Sequence, residues 1–106
     1  MSFKARIRTE NVKFPIIPGT RFNLQIGYKI ESGIIKELIS ELSDEDGSVL
    51  KKRPRMIGSK MSAVVLVKLD NRNCMETVNN FECYARIQIL HEAVTLAFGK
   101  VIELMD

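Results

Sequence analysis

From Phe3 to Glu10 the chain alternates without a break: Phe3, Ala5, Ile7 and Thr9 fall on one side, Lys4, Arg6, Arg8 and Glu10 on the other. Successive side chains of an extended strand point to opposite faces, whereas helical geometry would scatter this set around an axis. The stretch therefore reads as a strand with one buried face.

The pattern continues along the chain. Pro15-Ile16-Ile17-Pro18-Gly19 enforces a turn or bend, and alternation then resumes with Phe22, Leu24, Ile26, Tyr28 and Ile30 against Arg21, Asn23, Gln25 and Lys29, a second strand. Gly33 to Leu42 admits two readings. Ile34, Ile35, Leu38, Ile39 and Leu42 fit a helical stripe, yet Ile35 and Ile39 also share one strand face, with Ile34, Leu38 and Leu42 on the other. Ser43-Asp44-Glu45-Asp46-Gly47-Ser48 after it has the composition of a hairpin loop. Met61 to Leu69 is β-branched and compact, a central strand covered on much of both faces. Ala85 to Leu90 and Val94 to Leu104 complete the set, the latter with Val94, Leu96, Phe98, Ile102 and Leu104 opposed to Thr95, Gly99 and Glu103. Six or more short strands at this spacing indicate an all-β barrel or sandwich.

A chain of 106 residues with 45% apolar content is one domain, 1–106, able to bury a core without metals or disulfides. Apolar runs such as Ala63 to Val67 are too short to span a membrane, and Met1 to Arg6 has no secretory character, so a cytoplasmic protein is expected. Two cysteines, Cys74 and Cys83, make no disulfide framework, and with one histidine they make no standard zinc site. The net charge of +3 hides segregation: 37–50 holds five acids and no base, 51–60 five bases and no acid.

For catalysis the chain offers little. It has neither the glycine-rich loop with Lys and Ser or Thr that cradles nucleotide phosphates nor the dinucleotide fingerprint. His91 has no evident nucleophile and orienting group, and Asp44, Glu45 and Asp46 read as a solvated hairpin tip. No catalytic residue and no metal ligand is expected. Lys51-Lys52-Arg53-Pro54-Arg55, with Lys60 nearby, is the sharpest charge feature. Pro54 should hold Arg53 extended, leaving a loop that either grips phosphates or simply pairs with the acidic hairpin before it.

Together, Ile35-Lys36-Glu37-Leu38-Ile39-Ser40, the basic segment 51–55, Cys74-Met75-Glu76, Phe81-Glu82, Ala85 to His91 and Thr95 to Val101 stand in an order and spacing that resembles one known pattern. It is that of the C-terminal β-barrel of translational GTPases related to elongation factor 1-alpha, nearest to the release-factor GTPase subunit and the Hbs-type ribosome-rescue GTPase. In the GRFTLRD-like stretch only Arg86 is unchanged; Ala85, Ile87, Leu90 and His91 replace the family's glycine, phenylalanine, second arginine and aspartate.

The resemblance implies a closed or nearly closed antiparallel barrel of about six strands, with Ile34 to Leu42 a strand. It implies a domain without cofactor, belonging to a larger protein whose separate GTPase domain binds GTP and magnesium. The implied partners are a release-factor-like or Pelota-like protein and the ribosome, with tRNA or ribosomal RNA as the alternative and no membrane. If Ile87 and Ile89 point inward, Arg86, Gln88 and Leu90 point out and are the candidates for partner binding. Arg86 suits a partner carboxylate or an acid within the domain, Leu90 an apolar anchor or a neighbouring GTPase domain. Gly99 is expected at a close-packing position. For the RNA alternative the candidates are Lys51, Lys52, Arg53 and Arg55.

Overall fold

The computed structural model describes residues 2–26, 29–43, 45–70, 86–91 and 94–104. Seven strands run through them: β1 (Ser2–Thr9), β2 (Arg21–Ile26), β3 (Lys29–Leu42), β4 (Val49–Lys52), β5 (Ser62–Leu69), β6 (Arg86–His91) and β7 (Val94–Leu104). They lie in the order β2-β6-β7-β1-β5-β3-β4, all antiparallel, and a further pairing of β2 with β3 joins the first strand to the sixth. Six strands thus close a barrel and β4 extends from β3. Closure satisfies the backbone on both edges of each barrel strand, which an open sheet cannot do.

The first strand folds as its alternation requires. Phe3, Ala5, Ile7 and Thr9 are buried, while Arg6, Arg8 and Glu10 are exposed and Lys4 is partly so. Inside they meet Leu24, Ile35, Leu38, Val65, Val67, Ile87, Ile89 and Val101, and side chains fill the interior as in other small barrels. Each fully buried Ile, Leu or Phe contributes about 1.5–3 kcal/mol by leaving water. Central β5, between β1 and β3, is covered on both faces except at Lys68. One end is closed by segments 10–20 and 53–61, joined through Ile16 and Ile57, whose backbones exchange two hydrogen bonds of 2.8 Å. Thr9 ties this cap to β1: its buried hydroxyl donates to the Gly58 carbonyl at 2.6 Å and accepts from the Met61 N–H at 2.9 Å.

Two expectations change, and one open reading closes as the resemblance implies. The alternation from Phe22 to Ile30 is not one strand, because β2 ends at Ile26 and Ile26 pairs with Lys29, the first residue of β3. Pairing between positions three apart shifts the alternation by one residue, so Leu24 is buried while Ile30 is 61% exposed. Gly33 to Leu42 is strand, inside the longer β3, and its helical appearance comes from register shifts between Ile35 and Glu37 and between Leu38 and Ser40. A bulge lets two residues oppose one, so Ile35 and Leu38, three apart, both enter the core.

The second change concerns β7. Val94, Phe98 and Ile102 do not form its core face, and Leu96 packs against the core only in part. Register shifts opposite Leu90 and Lys4 divide the strand, and Ala97 and Val101 are the fully buried residues. Val94, Phe98 and Ile102 are 58%, 49% and 39% exposed. The inward positions must be small because β1 presses close. A Cβ on Gly99 would collide with the Arg6 carbonyl oxygen and lie 2.8 Å from Ile7 Cγ2, so glycine there is a close-packing requirement.

Candidate docking face

On β6, Ile87 and Ile89 are buried, and Arg86, Gln88 and Leu90 point outward, Arg86 exposed and the other two half-buried. The barrel register sets what stands beside them. Gln88 is flanked by Gln25 of β2 and Phe98 of β7, and Leu90 by Asn23 and Thr95. The Gln88 amide donates to the Thr95 hydroxyl at 2.6 Å, which fixes its direction along the face. Arg86, Ile87, Phe98, Gly99 and Lys100 line one shallow open depression.

The same register aligns three cations across adjacent strands. Arg86 of β6 stands opposite Lys100 of β7, and Lys100 stands opposite Arg6 of β1. All three are exposed, and among the described residues none forms an ion pair. One step along the same two strands, Lys4 meets Glu103 with 3.4 Å between nitrogen and oxygen. Phe98 and Arg8 form the neighbouring row.

The basic segment is arranged differently. Lys51 and Lys52 are not in a loop but on β4, where Lys51 faces Glu41 and Lys52 faces Ser40 across the ladder. All four residues of β4 are exposed, as are Arg53 and Arg55. Arg53 is not extended. Its φ is 48°, a left-handed value reached despite the following proline, and there its N–H donates to the Ile39 carbonyl at 2.8 Å. Its guanidinium pairs with Glu37 at 3.3 Å, not with the acidic hairpin.

That hairpin has its own partners. The Ser48 N–H donates to Asp46 Oδ1 at 2.9 Å, and this bond holds the Asp46 carboxyl below its usual pKa. Gly47, at φ 74°, lies against the Arg6 guanidinium, where a Cβ would sit 3.3 Å from Nη2. The structure therefore groups Arg86, Gln88 and Leu90 on one face, leaves 51–55 on a separate one, and places Arg6 between the first face and the acidic hairpin.

Phe98, Lys100 and Arg6 escape sequence reasoning as site residues. Phe98 looks like core, and the cations become neighbours only through strand register; the small residues Ala97 and Gly99 were the available sign that β7 turns its large side chains outward. His91 is exposed at the end of β6. Cys74, Met75, Glu76, Phe81, Glu82, Cys83 and Ala85 lie outside the described residues. Among the described residues no group of three or more His, Cys, Asp or Glu side chains stands together.

Comparison with known proteins identifies relatives. Residues 2–102 match the family model described as GTP-eEF1A C-terminal domain-like. Protein HBS1 of Drosophila melanogaster is 31% identical over 102 residues, covering 96% of this chain and 15% of that protein. The crystal structure of sup35 complexed with GDP superposes with a TM-score of 0.79 at 21% identity, covering 99% of this chain and 26% of that one. For sup35 complexed with GMPPNP the values are 0.81, 19%, 99% and 25%. These two likenesses establish the fold, and the chain spans only a fraction of each relative.

Proposed function

The chain belongs to the GTP-eEF1A C-terminal domain-like family, and from that premise we propose that it is the non-catalytic docking barrel of a translational GTPase of the termination or ribosome-rescue type. The outer face of β6 and β7 receives a release-factor-like or Pelota-like protein. One observation carries this reading: Phe98 is 49% exposed on β7 opposite Gln88 of β6, with half-buried Leu90 further along β6 and Arg86 opposite Lys100 in the next outward row. Apolar side chains ringed by polar ones are the anatomy of a protein interface, and arginine and aromatic residues are enriched there.

Phe14, Ile17 and Met56, exposed around the bridge of Ile16 with Ile57, form a second apolar region at the capped end of the barrel. In this reading that end packs on the neighbouring barrel of the parent GTPase, and GTP with magnesium is held by the parent's GTPase domain. The parent works on the ribosome in the cytoplasm.

The alternative is contact with tRNA through Lys51, Lys52, Arg53 and Arg55, which the full exposure of β4 favours. Glu37 and Glu41 beside these cations weigh against it. The test is binding of the chain to a Pelota-like protein, to a release-factor-like protein and to tRNA, each at low and moderate salt. Docking predicts saturable protein binding that persists at moderate salt. Carriage predicts tRNA binding that falls steeply with salt, because each neutralised phosphate releases counterions.

A further inference from the structure

Cross-strand neighbours of like charge destabilise a sheet, and charge pairing normally avoids them. β1 and β7 follow the rule at Lys4 and Glu103 but break it one step away, where Arg6 faces Lys100 and Lys100 faces Arg86. The Arg6 guanidinium lies against Gly47. Three exposed cations in register, with a half-exposed Phe98 in the adjoining row, form a surface whose own charges repel until an anion lies across it.

We infer that the row Arg6, Lys100 and Arg86, with Phe98, binds an acidic segment of a protein, one that alternates carboxylates with apolar side chains and crosses β6, β7 and β1. This rests on the docking reading and adds to it the chemistry of the partner and the participation of β1. Adjacent strands stand about 5 Å apart, and alternate residues of an extended segment about 7 Å apart. Carboxylates then meet guanidinium and ammonium groups in charge-assisted hydrogen bonds, and the apolar residues between them cover Phe98.

RNA fits less well. Phe98 is the face's aromatic side chain among the described residues, and Gln88 opposite it and Leu90 further along β6 are not aromatic, so a run of bases finds no continuing platform on which to stack.

The test is a titration of the isotope-labelled chain, followed by its amide resonances, with three probes: the capped peptide Glu-Leu-Glu-Leu-Glu, its Lys-Leu counterpart, and a short oligouridylate. The expected result is saturable movement of the Arg6, Phe98, Lys100 and Arg86 signals with the acidic peptide alone, weakened about fivefold by each of Arg6→Gln and Lys100→Gln. Movement at β4 instead, equal weakening by Lys52→Gln, tighter binding of oligouridylate at the same residues, or no movement would overturn the inference. A second readout needs no ligand: Lys100→Glu should raise the unfolding midpoint in urea, and a lowered midpoint counts against a repulsive row. Docking itself is judged separately. Loss of Pelota-like or release-factor-like binding on Arg86→Glu, with no effect of Arg6→Glu or Lys100→Glu, leaves the docking reading standing and removes this one.

Discussion

The face of β6, β7 and β1 and the segment from Lys51 to Arg55 are both rich in cations, but the fold treats them in opposite ways. In the segment from Lys51 to Arg55, Arg53 pairs with Glu37, and Lys51 stands opposite Glu41 in the ladder. Across β6, β7 and β1 the cations face one another, with exposed Phe98 beside them. The cluster that is conspicuous in sequence is the better neutralised of the two. The dispersed cations, brought into one row only by register, remain available to a partner. Density of charge along a chain is thus a weaker guide to a binding site than charge left unmatched across strands.

The contrast depends on the pairing of β1 with β7, and Gly99 is where that pairing is most easily broken. Gly99→Val would drive side-chain atoms into the Arg6 carbonyl and Ile7, with an expected loss of roughly 3 kcal/mol or more, measured by urea unfolding. Phe98→Ala sharpens the contrast. Partner affinity should fall by about 2 kcal/mol while stability moves by less than about 1 kcal/mol, since the ring is half exposed. Glu37→Gln addresses the other region and should have the smallest effect. An exposed ion pair is worth about 0.5 kcal/mol, so unfolding should barely shift, and releasing Arg53 should leave protein binding unchanged.

Much of the fold is legible in the residues. β1 is written as pure alternation because it has a straight run of inward positions, Phe3 to Thr9, each free to be large or β-branched. The outward facing of Arg86, Gln88 and Leu90 follows from the same period of two, whereas β4 lies partly in a stretch that reads as a loop. What alternation cannot convey is a change of phase. The bulges in β3 imitate a helix, and the pairing register of β2 with β3 moves Ile30 from the expected inner face to solvent. In β7 the limited space beside β1 admits Ala97 and Gly99, so large apolar residues stand outside, against the rule that bulk goes inward. The candidate site suffers most from this. Its cations are 80 and 94 positions apart in the chain when Arg86 and Lys100 are counted from Arg6, and they become one feature only through strand pairing.

The central claim, that docking belongs to the β6–β7 face and not to β4, comes down to a pair of charge reversals measured by calorimetry against one Pelota-like or release-factor-like partner. Arg86→Glu should weaken binding about 100-fold, the size expected for an interface hot spot, while Lys51→Glu with Lys52→Glu leaves it within about twofold. The opposite pattern, with Arg86→Glu silent and the β4 reversals abolishing binding, would contradict the account.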